Sequence, residues 1–396
     1  MPDFVTLCTE YDNVRNRDVC SFCADHAEND AATRFLLVRS LDKNNLKDIL
    51  SQYSGGTTDG NIISLAERAY NSSVTIQQLI AYIEGQRAEL IRQRESELVL
   101  LDEVLADFPI VNCGVRNDKV DDIIKSFVRN KSLKSKDALT AELDHVILPR
   151  IRQYSLWSYY NQTANDIVEL FFLRHEAVIP TLRKIPDVDF FLKVGHRIIP
   201  FDLKFTHISD SYFDLASQGI LRDPEARHHD DFYVCGNPNE SESWVIKAYY
   251  SAYKRAHKAA NLPNLRGLDK DTLCELLTAT GDAEAIRFVS GVKQRHARYV
   301  PTTPELLHSL EWWNYKYQGE RRFCNNNRLF VFLAYTNKFV DGRELKGKTA
   351  EIGRRIGELL DHLTEESIHT VKYHYDKDPG LAGDYTALSL STIYYE

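Results

Sequence analysis

Residues 186–206 read PDVDFFLKVGHRIIPFDLKFT, and the reading of this stretch decides the fold. Two runs rich in aromatic and β-branched residues flank a short turn at Lys193–His196, with Gly195 supplying the turn, which predicts a β-hairpin. Side chains two apart on a strand share a face. On the second run Ile199, Phe201, Leu203 and Phe205 therefore point one way, and Asp202 and Lys204 the other. On the first, Val188, Phe190 and Leu192 share a face, and Asp187 and Asp189 share the opposite one. Antiparallel pairing then sets a carboxylate beside Asp202, with the Lys204 ammonium one step along. Acidic oxygens converging beside a lysine make a poor core and a good site for a hard divalent cation such as Mg²⁺, which takes oxygen ligands and keeps waters.

Working outward, the first third of the chain reads as helix. Apolar residues recur at helical spacing over 62–83, and a long amphipathic pattern continues over 76–107 through Ile76, Leu79, Ile80, Ile83, Leu90, Ile91, Leu98, Leu101 and Leu105. Residues 106–118 break that pattern and mark a boundary. Helix resumes over 119–178, its last piece starting near Asn161 or Asn165. After the hairpin come a His- and Asp-rich loop (207–240), a helix (241–260), a basic region, a strand at 329–335, a helix over about 345–363 and an aromatic tail. Helix, hairpin, helix, strand, helix predicts an α/β protein: a mixed central sheet flanked by helices, with an N-terminal helical module. The expected organisation is residues 1–115 as that module, for recognition or dimerisation, 116–375 as the main domain, and 376–396 as the tail.

Pro186-Asp187, Asp189 ahead of an apolar strand and Asp202-Leu203-Lys204 on the next resemble the active-site signature of the PD-(D/E)XK nuclease superfamily, the restriction-endonuclease-like fold. That family also tends to carry a glutamate on the preceding helix, a place that Glu169 fits. The resemblance spans about residues 150–365 as topology and only about 40 residues as motif. It implies metal-assisted phosphodiester hydrolysis. Asp189 and Asp202 would ligate Mg²⁺, with the Leu203 backbone carbonyl completing the protein share, Asp187 as second candidate for the first acid, and Mn²⁺ able to substitute. Glu169 would be a further ligand, directly or through water. Lys204 would orient or help deprotonate the attacking water, or neutralise charge. Pro200 departs from the pattern, since a proline removes a ladder donor and belongs at an edge or a bulge. A second tripeptide of the same type, Glu344-Leu345-Lys346, reads as solvated.

Other constellations carry weaker signals. Cys8, Cys20, Cys23 and His26 could supply four ligands to a structural Zn²⁺, but no second CxxC follows, and small buried residues in a reduced protein are the preferred reading. Residues 62–81 have the outline of a helix-turn-helix without its glycine. Trp157, Tyr159 and Tyr160, and Trp312, Trp313, Tyr315 and Tyr317, could stack bases, although such clusters are more often core. Lys254, Arg255, Lys258, Arg295, Arg298, Arg321 and Arg322 are the candidate DNA contacts, with Arg328 among the aromatic-flanked cations. His228, His229, Asp230 and Asp231 form a second imidazole and acid cluster. No G-x-S-x-G, no phosphate loop ending in GlyLysSer/Thr and no G-x-G-x-x-G following a strand is present, which argues against serine hydrolase, ATPase and dehydrogenase chemistry.

Composition is consistent with a globular protein: 43% hydrophobic and 27% charged residues exclude a disordered or collagen-like chain. The odd count of 7 Cys argues against a complete disulfide framework. The net charge of −8 speaks against nucleic acid as a whole-molecule property. Residues 241–360, however, carry 20 Lys/Arg against 13 Asp/Glu, enough for a local positive face. No apolar run approaches the roughly 20 residues a membrane helix needs, and no basic segment followed by an apolar core opens the chain, so a cytoplasmic protein is expected. The functional expectation is an Mg²⁺-dependent endonuclease of duplex DNA, restriction-like and homodimeric. The alternatives are a repair or junction nuclease and a non-catalytic DNA-binding regulator.

Overall fold

The computed structural model describes the chain apart from residues 1, 14–17, 56, 108–119, 219, 223–231, 235–240, 319–324 and 340–341. Its strands are β1 (Val178–Ile185), β2 (Val188–Val194), β3 (Arg197–His207), β4 (Ile220–Arg222), β5 (Phe232–Val234), β6 (Arg328–Ala334), β7 (His369–Tyr375) and β8 (Gly383–Tyr395). Six of them form one mixed sheet in the order β1-β2-β3-β6-β8-β7, and β4 and β5 pair separately. β1, β2 and β3 are antiparallel, β3-β6 and β6-β8 are parallel, and β7 closes the far edge antiparallel to β8. The chain is thus α/β with a mixed sheet.

The hairpin forms where the sequence places it. Val194 stands opposite Arg197, which leaves Gly195 and His196 as a two-residue turn. Gly195 takes φ 57°, a left-handed conformation that glycine adopts without strain. Pro200 lies on the part of β3 that pairs with β2 alone, because β6 joins only from Asp202 onward. Its missing donor therefore breaks no β3-β6 bond, which is how a strand that is interior further along accommodates a proline.

Five strands were not anticipated: β1, the pair β4 and β5 within the 207–240 loop, β7 and β8. β1 occupies the stretch between the helix and the hairpin; Pro186 and Asp187 are the turn between Ile185 and Val188, with Asp187 at φ 66°. The tail at 376–396 is also more than an appendage: β8 runs between β6 and β7, with Ser389 and Ser391 buried in the sheet. Buried serines erase the apolar alternation by which a strand is read, so tertiary burial outweighed the local pattern.

The sheet is covered on both faces. Leu148–Leu173, a single helix of 26 residues, packs with Thr349–Asp361 over Phe190, Leu192, Phe201, Leu329 and Val331. On the other face Pro304–Lys316 covers Phe330, Phe332, Val371 and Ile393. β6 is buried along its whole length, as befits a strand with parallel neighbours on both sides. Trp157, Tyr160, Trp312 and Tyr315 are all core residues, not a stacking platform. Between β3 and β6, helices Glu242–Ala256, Lys270–Ala279 and Ala283–Arg298 build a small bundle with its own apolar cluster.

The N-terminal helices share one apolar cluster with Ile179, Ile185, Val188 and Phe191 of β1 and β2. Main-chain bonds join the two parts: the Ser40 carbonyl accepts the N–H groups of Leu182 (3.0 Å) and Arg183 (2.7 Å) at the irregularity in β1. The long amphipathic pattern divides at Gln86 into Ile76–Gly85 and Arg87–Asp107. Arg87 donates to the carbonyls of Leu173 (2.8 Å), His175 (2.7 Å) and Val178 (2.6 Å), satisfying acceptors that the end of Leu148–Leu173 leaves open. In the 62–81 region, Arg34 donates to the carbonyls of Ala69, Tyr70, Ser72 and Val74, and the second helix packs on β1. No helix among the described residues is long and apolar enough to cross a membrane.

Candidate active site

The candidate site lies at a fork in the sheet. β3 pairs with β2 from Arg197 to Phe201 and with β6 from Asp202 to His207. Continued by one step, the β2-β3 register would oppose Asp189 to Asp202. The main-chain N–H of Asp202 instead donates to the Asn327 carbonyl at 2.9 Å, and the N–H of Leu203 donates to Asp189 Oδ2 at 2.7 Å. A carboxylate thus takes the place of a ladder carbonyl.

Asp202 is buried and lies between two cations. Its Oδ2 is 2.9 Å from Lys204 Nζ and 3.2 Å from Arg328 Nε. Arg328 is the β6 residue in register with Asp202, and its guanidinium also bonds Gln318 Oε1 at 2.8 Å. Lys204 stands opposite Phe330 and Thr206 opposite Phe332, both in the cluster beneath Pro304–Lys316. Asp202 and Lys204 therefore share that face, opposite Phe201 and Phe205, as the alternation predicted.

Glu169 comes from Leu148–Leu173, on the other face, and its Oε2 accepts from Arg94 at 2.8 Å. Burial pushes its carboxyl up to about 6; Arg94 opposes the shift, while the charges of Asp189 and Asp166 add to it. Asp189 is also held above its ordinary value, first by burial and then by the Asp202 charge, with the Leu203 N–H, Lys204 and Lys184 pulling it back. Asp189 thus feels the Asp202 charge, and Glu169 feels that of Asp189. The three acids do not bring three carboxylate oxygens within 4.8 Å, a spacing met among the described residues only by His308, Glu311 and His369.

Asp187, the second candidate for the first acid, sits in the β1-β2 turn, off the strand on which its face was counted, and Asp189 holds the place beside Asp202. Arg94 was missed, and Arg328 was named only as an aromatic-flanked cation. Arg94 reaches the site from Arg87–Asp107, and Arg328 pairs with Asp202 from within β6. Their roles depend on helix packing and on parallel register, neither of which leaves a mark in the local sequence.

The remaining candidates fall elsewhere. Lys254, Arg255 and Lys258 cluster at the end of Glu242–Ala256 and just beyond, with Lys254 Nζ donating to Pro263 O (3.0 Å) and Asn264 Oδ1 (2.7 Å). Arg295 and Arg298 end the helix Ala283–Arg298 and line a groove with Tyr249, Arg287 and Phe288. All five therefore belong to the small bundle between β3 and β6. Arg321, Arg322 and the His228–Asp231 cluster lie outside the described residues.

Cys8, Cys20, Cys23 and His26 do not bring ligating atoms of three of them within 4.8 Å of one another. Arg39 donates to Cys8 Sγ at 3.5 Å, His26 Nε2 pairs with Glu10 Oε2 at 2.6 Å, and burial pushes the thiols of Cys20 and Cys23 up to about 11 and 12. Glu344-Leu345-Lys346, read as solvated, is a correction: Lys346 is buried, its ammonium bonded to Asn161 and Asn165 and 4.7 Å from the Phe205 ring centre.

The donor set of the fork fits a hard dication. Asp189 and Asp202 supply the carboxylate oxygens, and Mg²⁺ is commonly held by one or two carboxylates with waters in the rest of its shell; Lys204 and Arg328 already pair with Asp202. No protein-family model matches the chain, and no similar curated protein or solved structure was found.

Proposed function

We propose that this chain is a divalent-cation-dependent endonuclease that hydrolyses duplex DNA, of the restriction type. The observation that carries this reading is the fork: Asp189 and Asp202 on neighbouring strands where β3 exchanges β2 for β6, with Lys204 beside Asp202 and Glu169 close enough to feel the Asp189 charge. The run of Leu148–Leu173, the β1-β2-β3 meander and the parallel β6 supports the PD-(D/E)XK resemblance.

Asp189 and Asp202 would hold Mg²⁺, with the Leu203 carbonyl as a further donor. When bound, the ion lowers the pKa of a coordinated water and offsets charge building on the phosphate. The chain's own groups act around it. The Leu203 N–H fixes the Asp189 carboxylate in the fork, and Lys204 places positive charge beside Asp202, where it can orient a water or meet a phosphate oxygen. Glu169, with its pKa near 6, can exchange a proton close to neutrality. Arg328 holds Asp202 from the β6 side. Lys254, Arg255, Lys258, Arg295 and Arg298 give the bundle a basic surface suited to DNA phosphates. Cutting both strands requires two such sites, hence a homodimer.

The test is incubation of the purified protein with long duplex DNA in Mg²⁺ and in EDTA, beside Lys204→Ala. Discrete fragments that need Mg²⁺ and disappear in the variant support the assignment. Cutting confined to branched or damaged DNA replaces restriction with repair. Metal-independent binding without cleavage replaces the nuclease with a DNA-binding regulator.

A further inference from the structure

We propose that His308, Glu311 and His369 form a Zn²⁺ site, separate from the fork, that clamps helix Pro304–Lys316 to the edge strand β7. His308 and Glu311 are three apart on that helix and therefore share a face, and His369 opens β7, on which the helix packs. One ligating atom from each residue lies within 4.8 Å of those of the other two. Glu311 Oε2 and His369 Nδ1 are 2.9 Å apart, and the His308 and His369 rings stack with centroids 4.6 Å apart.

The second observation is the state of Glu311. It is fully buried, and its Oε1 has no hydrogen-bond partner, although Leu310, Trp312 and Tyr315 around it are core residues. A buried carboxylate with one oxygen unsatisfied is costly. A dication bound through Oε2 would balance the charge of this buried carboxylate and draw His308 and His369 into one ligand set. Imidazole, imidazole and carboxylate are Zn²⁺ donors, and tetrahedral bonds of about 2.0–2.1 Å hold ligand atoms roughly 3.3 Å apart. That separation lies between the His369–Glu311 distance and the spread of the group, so small side-chain adjustments close the site. Both histidines are partly exposed and give the ion its entry. Three protein ligands leave a fourth position for water.

The experiment is titration of the metal-free full-length protein with Zn²⁺ against a chromophoric chelator, in wild type, His308→Ala, Glu311→Gln and Asp202→Asn. The wild type should take up a tight equivalent that Asp202→Asn retains. His308→Ala, at a partly exposed position that leaves the core intact, should lose that equivalent or bind it at least tenfold more weakly. Zn²⁺ should raise the thermal midpoint of wild type and Asp202→Asn but not of His308→Ala. Circular dichroism shows whether Glu311→Gln folds, and a folded Glu311→Gln should lose the equivalent as well. The proposal is overturned if no tight equivalent is found, if His308→Ala binds like wild type, or if Asp202→Asn is the variant that loses the metal.

Discussion

Asp189 accepts the main-chain N–H of Leu203, 2.7 Å away, and so occupies the point where the β2-β3 ladder stops. The same side chain closes a hydrogen bond in the sheet and contributes negative charge to the fork. Asp189→Asn keeps an acceptor for Leu203 and removes the charge. Cleavage should fall by about 10²-fold or more while the urea midpoint barely moves. Asp189→Ala leaves a buried donor unmet and should also cost about 1–3 kcal/mol of stability. Assaying both variants for cleavage and for unfolding separates the two roles.

Asp202 and Arg328 form a buried ion pair, with Lys204 on the more exposed side. Replacing Arg328 with Met leaves Asp202 paired with the part-exposed Lys204 alone and should destabilise the protein by about 1–3 kcal/mol. Lys204→Ala should cost far less stability, because that ammonium is part-exposed and Arg328 remains. Equilibrium denaturation of the two variants tests this asymmetry; equal losses would refute it.

The pH dependence of stability should carry the signature of Glu169. Its carboxyl is raised from 4.5 to about 6 in the folded protein, so the folded state holds the proton more tightly than the unfolded chain. Its stabilising contribution is complete below about pH 4.5 and is lost as pH rises through about 6. Thermal midpoints measured between pH 4 and 8 should show that decline in the wild type, and Glu169→Gln should flatten it in the same window.

Gly342 sits where a Cβ would lie 2.8 Å from the Leu333 carbonyl oxygen of β6. The opposing atom is sheet backbone and cannot swing aside, so Gly342→Ala should cost about 1–3 kcal/mol. Gly357 has nothing within 4 Å of such a Cβ and lies inside helix Thr349–Asp361. Gly357→Ala should therefore stabilise the protein by about 0.4–1 kcal/mol. Unfolding midpoints of the pair, moving in opposite directions, check both statements.

The sequence by itself determined the hairpin, its turn at Gly195 and the facing of Asp202 and Lys204, because strand alternation and turn chemistry are local. It also placed Glu169 on a helix and β6 as a strand, since helical spacing and an unbroken apolar run survive without knowledge of neighbours. Only the tertiary structure decided that β1 precedes the hairpin and that the tail enters the sheet as β8. Pro186-Asp187 reads equally as part of a strand or as a turn, and buried serines look exposed until a sheet covers them. The same holds for Arg94, Arg328 and the meeting of His308, Glu311 and His369. Each joins residues distant in the chain through helix packing or strand register, and no local pattern encodes which strand will lie beside which.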